Sequence, residues 1–223
     1  MTLYDHTLVS SQIDQIALDR DRPLLLTDAD EVLVHFVAPL EDFLQKNDLF
    51  LDLKSFRLSG NVKCRHTGKA VKQAEIYRLL NRFFATCTDL CPPVNGAAAA
   101  LLTLQTRAQI VVLSNIPADH KETRTQSLCR HGMDYPLMAN KGPKGEAIRY
   151  ITQHHTAPVF FIDDLPVNIA SAAEHAPETH RIHFIADQRL AKLVEPSAHA
   201  HIRIDDWTEA ADYIDAFLTE KGY

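Results

Sequence analysis

Three short apolar runs stand out along the chain, and each ends in polar residues. Leu24-Leu25-Leu26-Thr27 runs into Asp28-Ala29-Asp30, Ile110-Val111-Val112-Leu113 into Ser114-Asn115, and Val159-Phe160-Phe161-Ile162 into Asp163-Asp164. An unbroken apolar run of this length, bounded by polar residues, predicts a strand buried on both faces, as in a parallel sheet. Ligands of open parallel sheets lie in the crevice beyond the carboxyl ends of the strands. The three endings are therefore expected to converge on one site bearing four carboxylates, a hydroxyl and an amide.

Between these runs the pattern alternates. Residues 10–20 predict a short helix leading into the first strand, and residues 31–37 read as apolar, β-branched chain until Pro39 interrupts them. The next parallel strand begins near Gln109, about eighty residues after the first, where a crossover needs only a dozen or so. The insert between them has its own pattern. Leu40, Phe43 and Leu44 recur at helical spacing, and residues 55–64 suggest a hairpin turning at Gly60. Ala74, Ile76, Leu79, Leu80, Phe83 and Phe84 then make an amphipathic helix within 71–86, ended by Cys91-Pro92-Pro93. A structureless loop of that length is rare in a compact domain, so the insert reads as a domain in itself. Helices to Leu104, near 118–131, from Lys144-Gly145 to about His154, at 167–175 and at 207–218 alternate with strands at 109–113, 159–162, 181–185 and 201–204 and a short segment at 136–139. The prediction is an α/β fold: a doubly wound, mostly parallel, Rossmann-like core over 1–37 and 95–223, with a small, mainly α-helical cap domain over 38–94.

Composition narrows the setting. At 223 residues the chain can bury one sizeable core, or a core plus a small inserted domain. Its 46% apolar and 23% charged content is that of a soluble protein. A net charge of -6 argues against general nucleic-acid binding. Residues 1–10 lack the pattern of a signal peptide, and the longest apolar stretch, 97–102, is too short to span a bilayer. A cytoplasmic protein with neither membrane nor nucleic-acid partners is expected. Cys87 and Cys91 are spaced i, i+4, Cys64 and Cys129 are isolated, and no C-x-x-C pair occurs, which favours free thiols over a zinc site.

The converging acids set the chemistry. Two carboxylates 4 Å apart repel by roughly 4 kcal/mol at an effective dielectric near 20. A cluster of Asp28, Asp30, Asp163 and Asp164 thus calls for a cation, and an all-oxygen site suits Mg²⁺, which binds through one or two carboxylates plus substrate phosphate. Lys144 or Lys141 can supply the remaining positive charge. Residues i and i+2 of an extended segment share a side. Asp28 can therefore attack phosphorus to give an aspartyl-phosphate while Asp30 protonates the leaving oxygen and later deprotonates water. Ser114 at its strand tip can donate to the phosphoryl oxygens, with a lysine offsetting their charge. The bland alternative makes these acids helix caps and solvated turn residues. A receiver domain also clusters Asp, Ser/Thr and Lys, but its acid pair comes early, its phosphorylated Asp ends a later strand, and it carries no large insert.

The set Asp28-Ala29-Asp30, Ser114-Asn115, Lys144 and Asp163-Asp164, in that order, resembles the four motifs of the haloacid dehalogenase-like (HAD) hydrolase superfamily. The resemblance covers about 22–37 and 105–175, and the insert looks like the helical cap of the family's first cap class. It implies Asp28 as nucleophile, Asp30 as general acid/base, Ser114 and Lys144 as phosphate ligands, and Asp163 and Asp164 as Mg²⁺ ligands. Asp28 and the Asp30 carbonyl would reach the same ion. An acid at the second position favours phosphoryl transfer; the family's dehalogenases lack it. Two departures stand out. The family usually reads D-x-D-G-T, whereas Glu31-Val32 follows here, which alters the stretch that lets the cap open and adds a carboxylate. Lys141-Gly142-Pro143-Lys144-Gly145 also offers two lysines; Lys144 is preferred because Lys-Gly opening a helix resembles many family members.

Substrate choice would come from the insert. Lys54, Arg57, Lys63, Arg65, Lys69 and Lys72 fall in a stretch without acids, either facing the crevice to bind an anionic substrate or forming a solvated face. His35 reads as hinge packing, Trp207 as the anchor of the last helix, and Asn115 and Asn168 as groups that orient acids or phosphate. The expected protein is a Mg²⁺-dependent phosphatase acting on a small phosphorylated metabolite. Its rivals are a non-catalytic, phosphate-binding relative, which Glu31 keeps open, and a phosphotransferase or phosphomutase sharing the nucleophile.

Overall fold

A computed structural model describes residues 6–55 and 57–223. Its elements run α1 (His6–Ile13), β1 (Leu24–Thr27), α2 (Val37–Gln45), β2 (Leu49–Leu51), β3 (Val62–Cys64), α3 (Gln73–Cys87), α4 (Ala97–Leu104), β4 (Gln109–Ser114), α5 (Lys121–Arg130), β5 (Leu137–Ala139), α6 (Gly145–Thr152), β6 (Val159–Asp163), α7 (Pro166–His175), β7 (His180–His183), α8 (Gln188–Ala191), β8 (Ile202–Arg203) and α9 (Trp207–Glu220). Six strands form a parallel sheet in the order β5-β4-β1-β6-β7-β8. The chain moves outward from β1 through β4 to β5, then returns to the other side of β1 for β6, which puts the topological switch point at β1.

The apolar runs are strands because both faces of the sheet are covered. Leu24 and Leu26 pack with Ala147, Ile148, Ile169 and Ala172 of α6 and α7 on one face. Leu25, between them, packs on the other with Leu101, Leu104, Ile214 and Leu218 of α4 and α9. All three leucines are fully buried, so period-2 alternation puts an apolar residue on each side. Trp207 opens α9, is fully buried, and donates from Nε1 to the Val32 carbonyl at 2.7 Å, tying that helix to the loop after β1.

The structure corrects the predicted chain in three places. The first helix spans His6–Ile13 rather than 10–20; its Gln12 side chain donates to the Ala139 carbonyl and accepts from the Ala139 amide, pinning the edge strand β5. Residues 31–34 form a turn, not extended chain, and Pro39 lies inside the first turn of α2, where its missing N–H costs no helical bond. The partner of β3 in its hairpin is β2, paired Leu49 to Cys64 and Leu51 to Val62, rather than residues 55–58. Gly60, at φ +84°, does sit in the turn entering β3, where Asn61 and Val62 both donate to the Leu58 carbonyl; Phe56 of the expected strand lies outside the described residues. The rest of the insert is α2, α3 and a 3-10 turn at Thr88–Leu90. Its Val62, Ile76, Leu79 and Phe83 are buried in a cluster continuous with that of α4 and α9. Residues 33–35 and 92–94 run beside each other, with His35 donating to Pro92 and Val94 to Leu33, so both connections to the insert leave the sheet together.

Candidate active site

Register brings the acids together. Thr27 of β1 pairs with Ile162 of β6 on one side and Val112 of β4 on the other, so the next residues, Asp28 and Asp163, meet at the same rim. Asp28, Asp163 and Asp164 each offer an oxygen within 4.8 Å of the others, and all three are buried. Asp163 is saturated: its oxygens accept from the Leu165 amide, from Asn168 Nδ2 on the first turn of α7, and from Lys144 Nζ at 2.7 Å. Pro166, at the first position of α7, starts that helix where a missing N–H is harmless. The carbonyl of Asp164 is held by His183, which receives the Ser197 amide at Nδ1 and therefore donates from Nε2 at 3.0 Å.

Lys144 fills the gap between the strands. Fully buried, it sits 2.8 Å from Asp28 Oδ1 and 2.7 Å from Asp163 Oδ2. Gly145 lets it come so close: a Cβ there would meet the Ser171 carbonyl at 2.0 Å, and the Gly145 amide donates to Ser171 Oγ. Burial opposes the charge on Lys144, but Asp163 and Asp28 outweigh it and raise the ammonium pKa. Burial pushes Asp28 up to about 6 against the pull of Lys144, and Asp163 adds to the rise. Burial, then the charges of Asp163 and Asp28, holds Asp164 well above the usual carboxylate range. Three carboxylates share one lysine, leaving two negative charges uncompensated in the ionised cluster. Among the described residues no donor reaches the Asp164 carboxylate or Asp28 Oδ2. Open carboxylate oxygens and a deficit of two charges fit a hard divalent cation.

Asp30 stands apart from this cluster. Its Oδ1 accepts from Arg124 Nη2 at 2.6 Å, and its side chain keeps 21% of its surface exposed. Burial raises its pKa, with Arg124 opposing. Glu31 follows at φ +56°, a conformation usual for glycine, and is buried. Its Oε1 accepts the amides of Phe36 and Val37, which begin α2, and its Oε2 accepts the amide of Asp187. The glutamate thus clamps the insert's first helix to the loop after β7.

The other predicted residues divide. Ser114 is fully buried at the end of β4, its Oγ accepting the Ile116 amide. Asn115 donates to the Gly142 carbonyl and accepts from Asn140, bracing the loop that carries both lysines. Lys141 is exposed and makes no ion pair with the acid cluster. In the insert, Lys54 and Lys63 both pair with the single carboxylate of Asp52, at 2.8 and 2.6 Å, which leaves a net positive charge there. Arg124 and the clamp made by Glu31 escaped the sequence reading. The available signal was that Arg124 lies four residues before Leu128, on the inward face of α5.

No protein-family model matches this sequence, and no curated protein does. Solved structures do. A HAD family hydrolase from Deinococcus radiodurans with bound phosphate and sodium shares 15% identity at a TM-score of 0.60, over 90% of this chain and 98% of its own. Its fold is that of the haloacid dehalogenase-like hydrolases. A structure from Bacillus subtilis, described as a HAD-hydrolase, YfnB, bound to magnesium, is similar at a TM-score of 0.62 with 12% identity, over 88% of this chain and 100% of that one. A predicted phosphatase from Clostridium acetobutylicum is similar at 0.58 with 15% identity, over 88% and 99%. Within this HAD-like fold, the rim where the three acids meet lies at the switch point of the sheet.

Proposed function

We propose that the protein is a divalent-metal-dependent phosphatase of the HAD type, hydrolysing a small phosphate monoester through an aspartyl-phosphate on Asp28. What carries the reading is the buried Lys144 joining Asp28 to Asp163 while Asp164 is left with open oxygens. Similar folds described with bound phosphate and with magnesium support it. Asp28 and Asp164 would hold Mg²⁺, together with the Asp30 carbonyl. Asp163, expected from the sequence as a ligand, has its oxygens taken by Leu165, Asn168 and Lys144 and would fix the lysine beside the ion. Once bound, the ion supplies positive charge to the phosphoryl oxygens.

The chain's own groups do the rest. Lys144 and Ser114 hold the phosphoryl group, and Asn115 keeps the lysine loop in place. An Asp28 oxygen forms a bond to phosphorus as the ester oxygen departs with a proton from Asp30. Asp30 then takes a proton from water, whose oxygen attacks the same phosphorus; the bond to Asp28 breaks and inorganic phosphate leaves. The insert over 38–94 would act as the cap that excludes bulk water, and the basic stretch between Lys54 and Lys72 would face an anionic substrate. A cytoplasmic setting and a small phosphorylated metabolite as partner complete the proposal; among the described residues no helix is long and apolar enough to cross a membrane.

The test is hydrolysis of a panel of aryl and alkyl phosphates with Mg²⁺. The wild type is expected to turn over at least one, and Asp28→Asn to lose at least about 10⁴-fold in kcat. No turnover across the panel would favour the non-catalytic phosphate-binding reading. Transfer to an added alcohol or sugar, in place of water, would favour the phosphotransferase.

A further inference from the structure

We infer that Arg124 is a positioning residue that aims Asp30, an inference resting on the proposed hydrolysis. Arg124 is fully buried on α5, yet among the described residues its Nε and Nη1 find no hydrogen-bond acceptor. Among the described residues its Nη2 donates to Asp30 Oδ1 at 2.6 Å, across 94 residues of sequence, and the buried Cys91 thiol lies beside the same guanidinium. A buried guanidinium ordinarily satisfies most of its five donors, because taking the charge out of water without partners is costly. Replacing a buried ion pair by apolar groups is often neutral or stabilising, so stability does not account for this arginine.

The bond's geometry supplies the account. Arg124 fixes one oxygen of Asp30, and among the described residues no donor reaches the other, Oδ2. A carboxyl tethered at one oxygen and free at the other suits an acid that gives its proton to a departing ester oxygen. The mount is firm: on the same helix, Ser127 donates to the Thr88 carbonyl and Arg130 pairs with Asp89, so α5 also grips the chain leaving the insert. The aim of Asp30 is thereby referenced to the sheet and the insert together. In the reaction Arg124 gains and loses no proton; the proton moves from Asp30 Oδ2 to the leaving oxygen as the P–O bond breaks.

An acid matters most when the leaving group is poor, and this separates aim from general damage. Wild type, Arg124→Met and Arg124→Lys are compared with Mg²⁺ on an alkyl phosphate and on nitrophenyl phosphate. Arg124→Met is expected to lose roughly 100-fold in kcat on the alkyl ester, the cost of misplacing a catalytic group by about 1 Å. It should lose far less on the nitrophenyl ester, with KM unchanged for both. Its melting temperature should fall, because Asp30 keeps its charge without a partner, and Arg124→Lys should recover part of the alkyl-ester rate. Equal losses on the two esters, or none on either, would overturn the inference. A crystal structure of Arg124→Met gives a second readout independent of turnover. The Asp30 carboxyl should shift by more than about 0.5 Å, the tolerance to which catalytic groups are held; an unmoved Asp30 would also overturn it. Should the wild type hydrolyse neither ester, the phosphatase reading fails while this structural arm still decides whether Arg124 holds Asp30.

Discussion

The two rims of this one sheet differ in what they leave unsatisfied. At the amino-terminal rim lies a cavity of about 700 Å³ lined by Arg149, His155, His180, His201 and Lys221 among others. Its polar groups serve one another: His180 bonds the Tyr213 hydroxyl at 2.7 Å and stacks on His201, which accepts the Arg181 amide, while Arg149 pairs with Glu146. The carboxyl rim carries a charge deficit, open carboxylate oxygens and a buried arginine with idle donors. Room alone does not identify a site. Uncompensated charge, held in place by rigid strand ends, marks where a counter-charge would bind.

Three perturbations sharpen the contrast. The largest effect is expected at Lys144, which lies wholly inside the acid cluster. Arg or Lys removal from a buried pair typically costs about 3–5 kcal/mol because the partner charge is stranded, and Lys144→Met strands more than one carboxylate. Urea unfolding should show a loss of this order without Mg²⁺, and a smaller one with it. A loss under about 1 kcal/mol, the scale of an exposed pair, would mean the cluster is solvated.

Glu31 comes next. Glu31→Gly relieves a positive φ, worth about 1–3 kcal/mol, but removes three hydrogen bonds to a carboxylate, each worth roughly 1.5–3 kcal/mol. Net destabilisation of a few kcal/mol is predicted, with faster hydrogen exchange at the amides of Phe36, Val37 and Asp187. Unchanged exchange at those three amides would show that the clamp holds nothing.

The smallest effect belongs to the far rim. Burial, with His201 and Arg181 adding, pushes His180 down to about 4, below its unfolded value near 6.5. The unfolded chain therefore binds the proton first, so the neutral histidine's contribution is complete above about pH 6.5 and is lost as pH falls towards 4. His180→Phe should make the urea midpoint fall less between pH 7 and pH 4.5 than it does in the wild type, with kcat at pH 7 unchanged. An identical fall would place His180 in contact with solvent.

The sequence made the carboxyl rim legible because each strand there is an unbroken apolar run, and burial on both faces leaves polar residues only at its end. Asp28, Ser114, Asp163 and Asp164 follow from that rule, whereas the switch point at β1 depends on a strand order that the apolar runs do not specify. Lys144 is favoured over Lys141 by the Lys-Gly pair that opens a helix; the physical reason for that glycine, its close approach to Ser171, is a tertiary contact that only the fold displays. Arg124 leaves only a faint trace, its spacing from Leu128, because a charged residue on the strongly polar helix α5 reads as solvated, and only the fold carries it to Asp30. Glu31 was noticed as a departure but not understood, since its positive φ is held by the amide of Asp187, far along the chain. The β2–β3 pairing was misjudged because Leu49-Phe50-Leu51 is too short for a visible period, whereas Gly60 advertised a nearer turn.

Mg²⁺ titration followed by thermal melting, in the wild type and in Asp164→Asn, tests most directly whether the rim is built for a divalent ion. Binding to the folded state alone at a hundred times Kd stabilises by about 2.7 kcal/mol, a rise of roughly 5–10 °C for a chain of this size. The account predicts that rise in the wild type and little or none in Asp164→Asn. No rise in the wild type, or an equal rise in both proteins, would contradict it.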